Sequence, residues 1–224
     1  CLRGSNVPGS SFDSLAGTGQ YETRKFSAEL MSKIKERLTL TDLLTRDDVL
    51  EDLSTKESLL AHGVRLFHRF GVQGTSIGKL LEATGKSKSQ FYFHFQDKDD
   101  FVCSVLELEM TTMLKMKKRH RLGCLEDLDD WFSPYVELAS LPGNLGCPVG
   151  PAATEMSPSK PSIREEAMRQ FARWEEKIAD DLIILSAREK FDGSFVPEEV
   201  ARQLACSIQG AFLFGRVFQD NNFI

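Results

Sequence analysis

Residues 59–101, LLAHGVRLFHRFGVQGTSIGKLLEATGKSKSQFYFHFQDKDDF, decide the fold. Leu59, Leu60, Gly63, Val64, Leu66, Phe67 and Phe70 fall at helical spacing and predict one buried stripe. Gly71 closes that helix, because a left-handed residue is cheapest as glycine. Thr75 or Ser76 can cap a second helix through a hydroxyl, with Ile77, Leu80, Leu81 and Thr84 turned inward. Gly85 makes a tight turn, and Ser87 caps a third helix of about two turns. In that third helix Phe91 lies opposite Ser89 and Phe93, so Phe91 and Phe95 are expected in the core. Helix, glycine turn, helix is the helix-turn-helix arrangement, whose second helix lies in the major groove of DNA.

Charge follows the same division. From Leu53 to Val102 there are seven Lys and Arg against five Asp and Glu, while both flanking segments are net acidic and the chain carries −5. An acidic protein with one mildly basic module suits a sequence-specific binder better than a general nucleic-acid coat. So small an excess implies few phosphate contacts per subunit, and therefore a dimer reading two half-sites.

At 224 residues and 41% hydrophobic content the chain can bury a sizeable core. No apolar run approaches the roughly 18 residues of a membrane span, and no signal-peptide core is visible. Five Cys without CxxC spacing argue for a reducing compartment, and four scattered His argue against a metal. With no phosphate loop, GxSxG or HExxH, nothing indicates an enzyme, so neither catalytic residues nor a cofactor are expected.

The organisation expected is all-α. Residues 1–25, rich in Gly and Ser, read as a disordered or vector-derived tail, with Met31 a plausible natural start. Residues 26–53 form a helical extension in which Phe26, Leu30, Ile34 and Leu38 fall four apart. It packs on its own subunit, extends a dimer interface, or serves as an arm near DNA. The helix-turn-helix domain occupies 54–101, and 102–224 is a second helical domain. There, acidic Asp97–Asp100 open a long helix running to about Arg121, with KMKKRHR as its solvated end. A helix follows around Glu126–Leu141, and Pro142-Gly143 breaks the chain. Phe171, Trp174, Ile178, Leu182 and Leu185 mark one face of a further long helix. Pro197 starts the last helix, with Val200, Leu204, Ile208, Ala211 and Gly215 on its buried face. Small residues such as Ala205, Gly210, Ala211 and Gly215 suit a four-helix bundle between two subunits, built from the last two helices of each.

Thr75, Leu80, Gly85, Ser87, Phe91, Tyr92, His94, Phe95, Lys98 and Phe101 match a pattern written roughly T-x-x-x-I-A-x-x-A-G-V-S-x-x-x-(L/F)-Y-x-(H/Y)-F-x-x-K-x-x-L. On these residues the chain resembles the tetracycline-repressor (TetR) family of bacterial transcriptional regulators. It departs from the pattern at Leu81, where a small residue is usual, at Lys86 in place of Val, and at Ser89, often Gly. GCPVGPAATEM, Gly146 to Met156, resembles a GC-x-x-G-x-x-A-x-E stretch in one branch of the family's ligand domains, with Pro151 where Asn is common.

The chemistry of the third helix suggests the readers. Lys88, Ser89, Tyr92 and Phe93 span one arc, with Gln90 on its flank. Lys can donate to guanine and Gln can pair with adenine, so Lys88, Ser89 and Gln90 are the expected base readers. The resemblance implies phosphate contacts for Thr75, Tyr92, His94 and Lys98; packing in an aromatic cluster is the alternative for Tyr92 and His94. It also implies a homodimeric cytoplasmic repressor at the bacterial nucleoid, bound to double-stranded operator DNA and released by a small effector. Trp131, Tyr135, Cys147, Met156, Phe171 and Trp174 are the expected pocket residues, each alternatively ordinary core, and they suit a hydrophobic or aromatic ligand. Cys147 could sense electrophiles if its thiol pKa were lowered. A second reading is an architectural or cell-division protein on the same scaffold with no effector.

Overall fold

The computed structural model describes residues 38–117, 120–141, 146–156, 159–191 and 195–223, with backbone alone at 155, 156 and 221. The expected tail, the helix through Phe26, Leu30 and Ile34, and the Pro142-Gly143 break lie outside these residues. Helix α1, Leu40–Thr45, opens on a reciprocal cap in which Thr39 N–H donates to Asp42 and Asp42 N–H donates to the Thr39 hydroxyl. Six residues are too few for a helix to persist alone. Tertiary contacts hold it: Leu40 and Leu43 are buried, and Arg65 Nε donates to the Leu43 carbonyl at 2.6 Å. Arg65 also reaches the Arg46 carbonyl and the Asp47 carboxylate. The described part of the extension thus packs on its own subunit.

Helix α2, Thr55–Phe70, starts on a second reciprocal cap between Ser54 and Glu57. Its stripe Leu59, Leu60, Gly63, Val64 and Phe67 is buried as the spacing requires. Phe70, expected inward, is instead exposed, because the helix ends there at Gly71 (φ 72°) and the ring passes beneath Lys79 and Arg69. Ser76, rather than Thr75, caps α3, Ile77–Thr84. Gly85 (φ 64°) turns the chain into α4, Lys88–His94, which opens on a third reciprocal cap, Ser87 with Gln90. The rings of Phe91, Phe95 and Phe101 pack with centroids 5.1–5.5 Å apart, and Phe67 adds a fourth ring against Phe101 at 6.1 Å. This cluster fixes α4 against α2 and against α5, Lys98–Lys117.

Helix α5 is buried on almost every side, including Glu109 and Lys117. Lys117 is therefore buried within the KMKKRHR segment expected to be solvated, while Arg121 at its end is exposed and residues 118–119 lie outside the described residues. The Lys117 ammonium donates to the Trp131 carbonyl and lies 3.6 Å from the Trp131 ring centre. Helix α6, Leu128–Ser140, is followed by a short turn, Val149–Pro151, and a π-type turn, Ala152–Met156. The long helices α7, Pro161–Ser186, and α8, Pro197–Phe218, both begin with proline in the first turn and pack on one another. The buried face of α8 is Ala201, Ile208 and Phe212, while Val200, Leu204, Ala211 and Gly215 are half-buried. No strand occurs among the described residues, and no helix there is long and apolar enough to cross a membrane.

Candidate DNA-reading face and ligand cavity

The outer surface of α4 is built by the cap and the phenylalanine cluster. With Phe91 wholly buried, the helix must present Lys88, Ser89, Gln90, Tyr92 and Phe93 outward. Phe93 is 83% exposed, the most of any large apolar side chain described. Lys88 Nζ lies 5.9 Å from the Tyr92 ring centre, so a cation and a phenol share one ridge. The Gln90 side-chain oxygen accepts from Ser87 N–H at 2.8 Å. Pairing with adenine needs that oxygen and the amide NH2 together, so Gln90 must release the cap to read a base. Ser87 is committed to the cap, with Ser89 Oγ 3.4 Å from its hydroxyl.

Three expected phosphate contacts sit deeper. Thr75 is 1% exposed, and its hydroxyl donates to the carbonyls of Gly71 (2.8 Å) and Leu66 (3.2 Å). It staples the turn between α2 and α3 and does not offer a donor to DNA in this conformation. Lys98 is half-buried with Nζ 3.4 Å from the Val72 carbonyl; burial lowers its ammonium pKa, opposed by Asp99. Burial also lowers the His94 imidazole, and the nearby Lys56 charge adds to this, so His94 is neutral at pH 7.

A narrow apolar cavity lies where the head meets the second domain. Leu40 and His68 contribute from α1 and α2, Glu109, Met110 and Met113 from α5, Tyr135 and Leu138 from α6, and Trp174 from α7. Gly146, Cys147, Val149, Gln209 and Phe212 close it. Its free space is about 30 Å³, room for one or two waters. Tyr135, Cys147 and Trp174 are thus brought together as expected, with Trp174 Nε1 donating to the Tyr135 hydroxyl at 2.8 Å. Trp131 is not among the lining residues: it is buried beside Lys117, with its Nε1 donating to Asp181 at 2.9 Å. Phe171 backs Trp174 from outside the cavity, and the Met156 side chain lies outside the described residues.

Burial pushes the Cys147 thiol up to about 11, with the Glu109 charge adding and a Gln209 hydrogen bond opposing. Cys103 rises to about 12 for the same leading reason. Both shifts run opposite to the lowered pKa that electrophile sensing at Cys147 would need. Glu109 and His68 escaped the sequence reading. Polar neighbours such as Glu107, Thr111, Arg65 and Arg69 gave neither residue a signal of burial in the sequence.

A helix-turn-helix head with an outward, cation- and aromatic-bearing second helix, joined to a helical domain around a cavity, defines a DNA-binding regulator. Residues 59–105 match the family profile described as bacterial regulatory proteins, tetR family, and residues 137–224 match the C-terminal domain of LmrA/YxaF-like transcriptional regulators. The chain belongs to the TetR family of transcriptional regulators. It is 29% identical over 178 residues to an HTH-type transcriptional regulator in the lacX 3' region of Lactococcus lactis subsp. lactis, covering 75% of this chain and 87% of that one. The HTH-type transcriptional repressor DhaR of Mycobacterium sp. (strain GP1) is 26% identical over 166 residues, covering 70% and 80%. Reduced E. coli NemR shares the fold with TM-score 0.66 at 19% identity, covering 75% of this chain and 90% of the other. A TetR regulator from Chloroflexus aurantiacus does so at 0.64 and 22%, covering 75% and 87%.

Proposed function

We propose that the protein is a homodimeric repressor that binds a palindromic operator and is released when a small molecule enters the cavity. The observation that carries the reading is the α4 ridge of Lys88, Ser89, Tyr92 and Phe93, held outward by the wholly buried Phe91. Lys88 and Ser89 are the base readers. Gln90 joins them once its oxygen leaves the cap. Phe93 offers an apolar face to a thymine methyl. Tyr92 and His94 supply phosphate contacts, with the amides at the start of α3 as a further phosphate seat. Repression is supported by relatives named as repressors, DhaR and the AcnR proteins of two Corynebacterium species. Relatives named as transcriptional regulators favour this reading over an architectural role.

Dimerisation uses α7 and α8. Leu213, Phe214, Val217 and Phe218 of α8 and Ile183 and Ile184 of α7 are exposed, an apolar surface that a lone domain does not normally present to water. Gly210 leaves an open notch on α8, where an added Cβ would meet no atom within 4 Å. The site of action is the bacterial nucleoid in the cytoplasm.

The test is selection of bound sequences from a random duplex library at two salt concentrations. A short palindrome with half-sites about one helical turn apart is the expected product. Enrichment of nothing, with affinity that collapses as salt rises, would reduce the protein to a non-specific binder.

A further inference from the structure

Among the described residues, one that lines the cavity carries a buried polar atom without a hydrogen-bond partner. Glu109 is 4% exposed. Its Oε1 lies 3.1 Å from His68 Nε2, while its Oε2 is enclosed and receives no hydrogen bond from the described residues. Buried carboxyl oxygens are normally satisfied, and one left bare inside an apolar wall is costly. Met110, Met113, Tyr135, Trp174 and Phe212 line the same cavity together with Cys147 and Gln209, and no Lys or Arg is among its described lining residues.

We propose that this cavity takes an amine-bearing ligand with an apolar or aromatic body, its protonated nitrogen donating to Glu109 Oε2, and that His68 relays its binding to the DNA-reading head. The proposal rests on the effector-released reading above and names the chemical class of that effector. Complementarity is threefold. A cationic nitrogen supplies the missing donor and makes a charge-assisted bond in a low-dielectric site. Tyr135 and Trp174 line the same cavity, and an aromatic face there attracts a cation further. A carboxylate ligand would place a second anionic group beside Glu109, with no Lys or Arg among the described lining residues to offset it.

The relay follows from where the pair sits. His68 belongs to α2, the first helix of the head, and Glu109 to α5, so their hydrogen bond crosses from reading head to ligand domain. A nitrogen at Oε2 draws the carboxylate's charge away from His68 and loosens that bond. The free space is also too small for a ligand body, so entry displaces lining side chains such as Met110 and Met113, which are unbranched and can swing aside. Both effects act on the contact between α2 and α5, and a ligand shifts the head only through such a difference in affinity between two arrangements.

Three probes of matched length test the proposal on the full chain: phenylbutylamine, phenylbutanol and phenylbutyrate. Binding is read from tryptophan fluorescence, since Trp174 lines the cavity, and release from a selected operator duplex is read in parallel. The amine is expected to bind roughly tenfold tighter than the alcohol, to bind tighter still than the acid, and to weaken operator binding. Glu109→Gln should bring amine and alcohol to equal affinity. His68→Gln should keep amine binding but blunt its effect on the operator. Equal affinities for amine and alcohol, or no binding of any probe by a protein that still holds its operator, overturn the proposal and leave the regulator reading standing. Failure of the unliganded protein to hold any operator would instead overturn the reading beneath it.

Discussion

Gly63 and Phe101 meet with no room for a methyl group between them. A Cβ on Gly63 would lie 2.6 Å from Phe101 Cζ and 2.7 Å from Val105 Cγ2, so α2 and α5 cross at this glycine. Gly63→Ala gains about 1 kcal/mol in helix propensity and costs about 1–3 kcal/mol in overpacking. Overpacking dominates because Phe101 is held by three other rings and cannot easily withdraw. A net loss of about 1 kcal/mol in urea unfolding is expected, with weaker operator binding as the head shifts on α5. Unchanged stability would mean that Phe101 moves freely.

Thr75 and Lys88 separate scaffold from reader. Thr75→Val keeps the shape but removes the hydroxyl bonds to Gly71 and Leu66, so about 1 kcal/mol of stability should go while the salt dependence of DNA binding stays the same. Lys88→Ala should do the opposite. Base preference falls by about 1–3 kcal/mol and the melting temperature holds, because the side chain lies on the exposed ridge. Equal losses on specific and random DNA for Lys88→Ala would remove it from the readers.

The head was legible because its signals are local. Caps at Ser76 and Ser87, a left-handed glycine at Gly85 and the inward Phe91 follow from neighbours a few residues away. What failed depended on contacts distant in sequence. Thr75 matched a phosphate contact by resemblance, and its hydroxyl is instead held by the carbonyls of Leu66 and Gly71. Trp131 looked like pocket lining until Lys117 took its carbonyl. The cavity needed Leu40, His68, Glu109 and Gln209 to converge from four helices. Periodicity says which face of α5 is apolar only when one face is polar, and α5 is buried nearly all round.

Two histidines give the fold a dependence on mild acid. Burial lowers the imidazole pKa of His62 and of His94 below 6.5, against the weaker opposing hydrogen bond of His62 to the Ser58 carbonyl. As pH falls through 6.5 the unfolded chain takes up these protons before the folded one does, so stability falls. The melting temperature should drop between pH 7 and 5.5, and the double substitution His62→Gln, His94→Gln should flatten that slope. A slope that survives both changes would assign it to other groups.

Lys117 extends the same dependence to higher pH. Burial lowers its ammonium from 10.5 to about 7, and Asp181, which also holds Trp131 and Lys177, only partly offsets this. Between those two values the unfolded chain carries a proton that the folded chain has released, so stability rises with pH. Cys103 and Cys147 act oppositely, because their folded thiols titrate higher than the unfolded 9.0, so their effect begins only as pH nears that value. The window free of both is about pH 7 to 8.5. Urea midpoints should climb across it for the parent protein and stay level for Lys117→Met, whose thioether fills the same space without a charge. Lys117→Met should also be the more stable protein at pH 7, since a buried ammonium gives up more hydration than one carbonyl and two ring faces return. A less stable variant would show that the Trp131 carbonyl and Asp181 compensate Lys117 fully and that the lysine holds α5 to α6.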